Sequence, residues 1–399
     1  AMAGQPFVVA QVEEKERARN PLPPFTTSTL QQTANQRIGF TSKRTMSTAQ
    51  RLYEGIELGE RGTTALITYM RTDSENLSAL AINTAKTEII KEYGDKYHKA
   101  RQYKTTTKGA QEAHEAIRPT YMNVVSAGSN NDERRLYDLI RKRAIASQMA
   151  DAETDTTRVE VSMNQLPYLW VANYSVITFD GFMRVYTQSA DEELSSQSTP
   201  LSANLTLSPC ELSHVVAQES FTKAPTRYDE GSLIYQMKVM GIGRPSTYAP
   251  VVETIQSRGY VEKGNVAGVA REYNILTLKN GKLQDTTKTE MVGAESGKLL
   301  PTDLGRITND FLVEQFPAIM SYDFTASEEE QFDAISAGQA NWVKTVDEFY
   351  HTFHPLIQQV PAGKKSLTIR LAIGSNEKTL TSQETEEVAN GVMKKLAKT

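Results

Sequence analysis

The chain has 399 residues, of which 39% are hydrophobic and 23% are charged, with a formal net charge of −4 and one cysteine. At roughly 100 to 200 residues per domain the length predicts two to four domains, and the composition excludes a disordered tail. No run reaches the ~18 consecutive apolar residues of a membrane helix. The lone Cys210 excludes a disulfide framework and a multi-cysteine metal site, and a single unpaired thiol is typical of a reducing cytosol.

The N-terminal part of the chain combines one strand with several predicted helices. A strand over residues 7–12 ends before the prolines at 21–24. A helical pattern then runs from Thr26 to Gly39, and a second helix is expected over 47–53. A short apolar run at 65–69 predicts another strand.

The residues after that strand predict further helices. Residues 72–75 have the S/T-x-x-E spacing of a capping box, so a helix is expected to begin at Thr72 and to end at Gly94. Residues 96–108 are interpreted as a basic loop, 111–117 as a short helix and 133–149 as a longer one. From 23 to 121, Lys and Arg outnumber Asp and Glu by 14 to 10, which is compatible with a region that faces phosphate.

From residue 151 the composition favours β structure, and helices return from Ser232. Asn280-Gly281 between apolar runs predicts a hairpin. The other predicted elements are strands at 157–161, 168–179, 212–217 and 367–372, a polar loop at 188–204, a helix opened by 241–247, and helices at 302–316 and 328–359. Because two β blocks flank one helical block, we expect a β domain that is interrupted by a helical domain.

The end of the strand at 65–69 carries the most informative chemistry. In an extended strand residues 69 and 71 share a face, which places the Arg71 guanidinium beside the Tyr69 phenol. A phenol with a pKa near ~10 is a weak nucleophile at neutral pH, and a neighbouring cation would stabilise its phenolate and the charge developing on a phosphate. The pair is compatible with attack on a phosphodiester, and also with the commoner case of a tyrosine ring that packs against a core.

Five segments resemble motifs of the bacterial type IA DNA topoisomerases, in the same order and with similar spacing over roughly residues 5–360. The segment around Tyr69 resembles the active-site tyrosine motif of that family, and the others resemble its histidine segment and parts of its helical domains. The segments are PPFTTSTLQ at 23–31, LITYMRTDS at 66–74, QEAHEAIRP at 111–119, GIGRPSTYA at 241–249 and LPTDLG at 300–305.

The resemblance implies catalytic roles for three residues. Tyr69 would be the nucleophile, which breaks one DNA strand and holds its 5′ end as a phosphotyrosine. Arg71 would brace the scissile phosphate and promote formation of the phenolate. His114 would lie at the edge of the active site, with a hydrogen bond to DNA or to the proton network, although its position alone is also typical of a helix histidine bonded to a carbonyl.

DNA-binding roles are implied for four further residues, namely Thr68, Arg244, Ser246 and Thr247. Arginine and hydroxyl side chains at a glycine-rich helix start also suit a phosphate backbone on physical grounds. Pro245 fits the first turn of the helix that we expect there.

The implied fold class is multidomain α+β. A β-rich arch would comprise residues 1–22 and 151–232, with hinges near 20–24 and 150–156. A helical domain at 23–150 would carry the tyrosine, and a mostly helical domain at 233–360 would bind single-stranded DNA. Residues 361–399 would form a linker or the start of an extension.

The implied activity is ATP-independent relaxation of negatively supercoiled DNA by a monomer associated with the nucleoid in the cytoplasm, with no membrane partner. The Toprim domain of the family carries a glutamate and the aspartates that bind magnesium, and the sequence before Tyr69 has no counterpart. We therefore expect no magnesium ligands in this chain, a cleavage site that needs the Toprim domain as its partner, and DNA binding that can persist without catalysis.

Two other functions stay open. A tyrosine recombinase or type IB enzyme also surrounds a tyrosine with arginines and a histidine, but these precede the tyrosine, whereas His114 follows Tyr69. A single-strand-binding module without catalysis is the non-enzyme alternative.

Other features of the sequence are weaker evidence for a functional site. Neither His351 with His354 nor Cys210 with His214 predicts a metal site. The acidic run at 328–330 is interpreted as a solvated helix start, where negative charge favours the helix dipole.

Overall fold

The computed structural model describes residues 7–57, 62–104, 114–163, 168–187, 209–210 and 213–359. The helices in these ranges are α1 (Thr27–Ile38), α2 (Ser42–Glu54), α3 (Ala79–Tyr93), α4 (Asn131–Ser147), α5 (Glu230–Val239), α6 (Tyr248–Ser257), α7 (Asp303–Gln315), α8 (Tyr322–Ser336) and α9 (Trp342–Gln359). The strands are β1 (Phe7–Arg19), β2 (Ile56–Glu57), β3 (Thr63–Thr64), β4 (Ala152–Met163), β5 (Leu169–Phe179), β6 (Pro209–Cys210), β7 (His214–Gln218), β8 (Val261–Val266), β9 (Val269–Lys279), β10 (Lys282–Val292) and β11 (Glu295–Pro301). Short 3₁₀ helices cover Asp95–Tyr97 and Gly181–Arg184.

A four-stranded antiparallel sheet joins the two predicted β blocks. Its strand order is β5-β4-β1-β6, and β1 pairs with β4 from Phe7↔Met163 to Arg19↔Ala152. The neighbouring strands β1 and β4 are therefore separated in sequence by the whole helical block, as the composition predicts. β1 extends beyond the predicted residues 7–12 because its charged outer half also pairs with β4. The domain boundaries drawn from the sequence stay a prediction.

The helices inserted between β1 and β4 pack around a large apolar core. Phe25, Leu30, Tyr137 and Phe182 are fully buried there, and each such side chain contributes on the order of 1.5–3 kcal/mol through the hydrophobic effect. Phe182 belongs to the 3₁₀ helix after β5, so the chain leaving the sheet completes the helical core. Helix α1 follows Thr26 and ends at Gly39 in the left-handed region (φ 67°), as the sequence predicts. Thr26 also forms a capping box, which was not predicted.

Residues 213–336 form a second region that mixes helices with strands. Helices α5 and α6 share a small core of Ile234, Met237, Tyr248 and Val252. The predicted hairpin is confirmed, because Asn280 (φ 51°) and Gly281 (φ 74°) close the β9–β10 turn. β7 pairs with the other edge of β9, and β8 pairs with β11. The domain predicted at 233–360 as mostly helical therefore also contains the strands β8–β11.

One long helix was expected over 328–359, and this prediction is wrong. α8 ends at Ser336, and Gly338 adopts a positive φ of 73° before α9 begins at Trp342. The acidic run at 328–330 therefore lies inside α8 and not at a helix start. Residues 343–359 of α9 belong to a second unit, separate from the one that contains the preceding elements. No helix in the described ranges is long and apolar enough to cross a membrane.

The strand predicted at 65–69 and the helix predicted from Thr72 are also wrong. Only Ile67 forms an isolated bridge, with Pro119, and α3 begins at Ala79 with Ser78 as its N-cap. The Thr72 hydroxyl accepts the Ser74 N–H at 3.0 Å, and its backbone bonds to Thr27 instead of to a helix. Tertiary hydrogen bonds therefore override the local capping signal.

The short helix predicted at 111–117 is absent over its described residues, 114–117. The Ile117 N–H donates to Phe25 O at 2.8 Å and the Ala116 N–H donates to Asn76 O at 2.8 Å. Residues 111–113, the loop at 188–204, the end of the loop at 96–108 and the strand at 367–372 fall outside the described residues.

Candidate active site

A cavity of about 970 Å³ lies between the tyrosine-bearing segment and the residues that precede α6. Five predicted site residues line it, namely Tyr69, Arg71, His114, Arg244 and Ser246. The other lining residues are Tyr53, Thr72, Asp73, Pro245, Glu329, Asp333, Ser336 and Ala337. Residues that are far apart in sequence thus share one concave surface, which is the usual setting of an active site.

One side of the cavity, here called the tyrosine wall, consists of residues 66–73 with Tyr53 and His114. Thr27 at the start of α1 fixes this segment: its hydroxyl donates to Met70 O at 2.7 Å and accepts the Thr72 N–H at 2.8 Å. The Thr27 N–H donates to Thr72 O at 2.9 Å. Ile67 and Met70 are each 1% exposed and hold the segment in the core. The backbone that carries Tyr69 is therefore rigid.

The Tyr69 ring is half-buried between two other rings. Its centroid lies 5.4 Å from that of Tyr53 in an edge-to-face contact and 5.2 Å from that of His114. Such aromatic contacts restrict the direction in which the phenol points. The Arg71 side chain is exposed and lines the same cavity. The structure therefore places the predicted nucleophile, cation and histidine together.

Thr68 holds the histidine segment in place. Its hydroxyl donates to Ala116 O at 2.7 Å and accepts the Arg118 N–H at 3.0 Å. The Thr68 N–H also donates to Arg118 O at 3.0 Å. Thr68 is not among the residues that line the cavity. Its observed bonds position His114, and its contact with DNA stays a prediction.

The opposite side, here called the arginine wall, consists of residues 241–247 and the face of α8 that carries Glu329 and Asp333. Gly243 adopts a positive φ of 83°, and an added Cβ would lie 3.0 Å from Thr247 Oγ1, so the turn favours glycine. Thr247 Oγ1 accepts the Arg244 N–H at 2.8 Å and does not line the cavity. The expectation for Pro245 is wrong, because α6 begins only at Tyr248.

Arg244 is paired with two carboxylates that the sequence analysis did not select. Its Nη2 lies 3.3 Å from Asp333 Oδ2 and its Nε lies 3.5 Å from Glu329 Oε2. Glu329 belongs to the run that was interpreted as solvated. The i, i+4 spacing of the two acidic residues was the signal available in the sequence, because it places them on one helix face.

Asp73 is a third carboxyl group of the cavity that sequence reasoning missed. Burial raises the pKa of the Asp73 carboxyl, and the positive charges of Lys238 and Arg244 oppose that shift. Its Oδ1 is buried and has no hydrogen-bond partner among the described residues. Asp73 stands two residues after Arg71, so its place in the tyrosine motif was the available signal.

The two walls are joined by contacts between α1 and α2 on one side and α5 and α6 on the other. Gly231 in α5 lies against α1, where an added Cβ would come within 3.3 Å of Gln32 Cα. Glu230, which is 4% exposed, accepts the Ser42 N–H at 2.7 Å, so its carboxylate lies on the N-terminus of α2. Lys43 and Glu253 form an exposed ion pair beside it.

The described residues contain no group of three or more His, Cys, Asp or Glu side chains that could hold a metal ion. His351 Nδ1 lies 2.8 Å from Asp347 O and His354 Nε2 lies 3.0 Å from Gln358 Nε2, both within α9. The Cys210 side chain falls outside the described residues. In the part of the chain that the structure describes, the side chains therefore do not fit a magnesium site.

Comparison with known proteins gives consistent matches. A family model described as DNA topoisomerase matches residues 1–272. The prokaryotic-type DNA topoisomerase 1 of Acanthamoeba polyphaga mimivirus is 36% identical over 380 residues, which cover 90% of this chain and 43% of that protein. DNA topoisomerase 1 of Rickettsia bellii (strain RML369-C) is 38% identical over 373 residues, which cover 92% of this chain and 42% of that protein.

A solved structure gives the same result at the level of the fold. The full-length topoisomerase I from Thermotoga maritima superposes with a TM-score of 0.69 at 30% identity, covering 89% of this chain and 53% of that one. The chain spans less than half the length of the two curated relatives. Since the family match covers more than half of the chain and agrees with the fold, the chain belongs to the type IA DNA topoisomerases.

Proposed function

We propose that the protein to which this chain belongs relaxes negatively supercoiled DNA without ATP, as a monomer acting on the nucleoid in the cytoplasm. This chain supplies the nucleophile and part of the single-strand site. The observation that carries the proposal is the position of Tyr69, which lies against His114 and in one cavity with Arg71 and Arg244.

Cleavage is a transesterification on a DNA phosphate. The Tyr69 phenol loses its proton and its Oη attacks the phosphorus, so that an Oη–P bond forms while the P–O3′ bond breaks. The leaving 3′ oxygen takes up a proton, and the 5′ end stays on Tyr69. Religation reverses these steps, and because the phosphotyrosine conserves the energy of the broken bond, ATP is not required.

The geometry supports a role for each neighbouring side chain. The Arg71 guanidinium stabilises the phenolate and the charge that develops on the phosphate oxygens. His114 bonds to DNA at the edge of the site. Arg244 and Ser246 hold the strand backbone, because arginine and hydroxyl groups donate hydrogen bonds to phosphate.

Other parts of the proposal come from the family and concern the whole protein. Strand passage requires the tyrosine wall to move away from its partners, with the β-rich arch as the flexible connection. In the family a Toprim domain binds magnesium, and we propose the same for the whole protein.

The test uses a single-stranded oligonucleotide, the chain, magnesium and a separately prepared Toprim domain, with products separated under denaturing conditions. A 5′-phosphotyrosine linkage predicts a protein adduct that carries a label placed at the 3′ end of the DNA, and a free, shortened fragment when the label is at the 5′ end. Tyr69→Phe removes the adduct completely and leaves binding intact. Tyr53→Phe is the matched control, because Tyr53 lines the same cavity and contacts the Tyr69 ring. We expect this variant to keep the adduct.

Each other pattern contradicts the proposal in a distinct way. An adduct that carries the 5′ label indicates the opposite linkage, which is that of the tyrosine recombinase and type IB class. An adduct that survives Tyr69→Phe assigns the nucleophile to another residue. Binding without an adduct in any sample leaves only a single-strand-binding module.

A further inference from the structure

One face of α8 is directed at the turn that carries Arg244. Ala326, Glu329 and Asp333 follow the i, i+3, i+7 spacing of a single helix face. Ala326 lies so close to Gly241 that an added Cβ would be 3.1 Å from the Ala326 Cβ. Glu329 and Asp333 contact the Arg244 guanidinium further along the same face. The acidic groups are thus placed by the packing of α8.

These contacts occupy the groups that a phosphate would use. The Arg244 side chain is 29% exposed, and Arg244, Glu329 and Asp333 all line the cavity that contains Tyr69. At 3.3 and 3.5 Å the pairs are longer than the ~2.7–2.9 Å of a strong charge-assisted hydrogen bond. A DNA phosphate offers the same negative charge and can approach more closely.

A phosphate that approaches Arg244 competes with both carboxylates for the guanidinium. Two unit negative charges beside the guanidinium would repel a third, and Asp73 also lies in the field of Arg244. We propose that Glu329 and Asp333 act as an intramolecular substitute for DNA, which occupies Arg244 in the empty site and is displaced when a strand enters. This rests on the proposed function, because it assumes that Arg244 binds the strand backbone.

The experiment measures the affinity of the chain for a fluorescent single-stranded oligonucleotide by anisotropy at fixed, low salt. The double variant Glu329→Gln with Asp333→Asn keeps the size of both side chains and removes the competition. We expect it to bind about five- to tenfold more tightly, which corresponds to about 1–1.4 kcal/mol. Glu330→Gln is the matched control, because Glu330 is exposed on the same helix and does not line the cavity. We expect it to change the affinity less than twofold.

The double variant combined with Arg244→Ala separates displacement from a general effect of charge. If the carboxylates act through Arg244, removing them in the Arg244→Ala background tightens binding less than twofold. An equal gain with and without Arg244, or an equal gain from Glu330→Gln, overturns the inference. Weaker binding by the double variant also overturns it, because the carboxylates would then position Arg244 for the phosphate.

The proposed function fails differently. If Arg244→Ala alone binds the oligonucleotide as tightly as the unmodified chain, then Arg244 does not contact the strand, whatever the acidic variants do. Thermal unfolding followed by circular dichroism confirms that each variant is folded before its affinity is compared.

Discussion

The two walls of the cavity are built in different ways. The tyrosine wall is fixed by backbone hydrogen bonds to Thr27 and by buried side chains such as Phe25 and Met70. The arginine wall rests on the four-residue core of α5 and α6, and neither α7 nor α8 contains a buried residue. The packing of α8 on Gly241 and the ion pairs of Arg244 determine where its charges lie.

This difference matches two chemical demands. A nucleophile must approach the phosphorus along a defined line, so the backbone that carries it benefits from rigidity. A backbone-binding surface must admit, hold and release a strand of variable sequence, and exposed ion pairs exchange partners at low cost. We therefore expect substitutions that remove buried hydrogen bonds of the tyrosine wall to destabilise the protein most.

Thr27→Val gives the largest expected effect on stability. Valine has the same shape but lacks the hydroxyl, so Met70 O loses a hydrogen-bond donor and the buried Thr72 N–H loses its acceptor. We expect a loss of about 2 kcal/mol in the free energy of unfolding, because unsatisfied buried polar groups cost ~1–3 kcal/mol. Urea unfolding measures the change. Thr87→Ala is the control, since the exposed Thr87 hydroxyl bonds only within α3; equal losses in the two variants would contradict the rigid tyrosine wall.

The sequence predicted some of this contrast. The helical pattern of α1 with its terminal glycine and the Asn280-Gly281 turn are local signals, and the structure confirms them. Five of the seven predicted site residues line one cavity. They were predicted because several motifs were identified together; a single motif does not predict that the two walls face each other.

The remaining features depend on contacts between distant segments. Residues 72–75 have a capping box that is not used, because Thr72 bonds to Thr27. Residues 114–117 follow a helical pattern but bond to Phe25 and Asn76. Local propensity is outweighed at both places by tertiary hydrogen bonds, which leave no periodicity in the sequence.

The contact between Glu230 and Ser42, which joins the two walls, gives an intermediate expected effect on stability. Glu230→Ala removes a buried carboxylate from the N-terminus of α2 and leaves the Ser42 N–H without its acceptor. We expect a loss of about 1–2 kcal/mol in thermal or urea unfolding. Glu253→Gln disrupts the exposed ion pair with Lys43 next to it and should cost less than about 0.5 kcal/mol. If both substitutions lower the free energy of unfolding equally, the buried Glu230 carboxylate stabilises the contact between the two walls no more than an exposed ion pair does.

The smallest expected effect on stability concerns Asp73, which belongs to the tyrosine wall but lies near the positive charges of Lys238 and Arg244. Because burial raises its pKa in the folded protein, the unfolded chain loses the Asp73 proton first as pH rises. Below the unfolded pKa, near ~3.9, both states are protonated and the group contributes nothing. Stability then falls until the folded carboxyl also ionises, and stays lower at neutral pH. Asp73→Asn removes this penalty, because asparagine does not ionise, so we expect the variant to gain stability over the parent as the pH rises from 4 to 7. Urea unfolding at several pH values measures the gain. A gain that does not change with pH would show that the ionised carboxylate is already compensated by Lys238 and Arg244, and the arginine wall would then stabilise the tyrosine wall electrostatically.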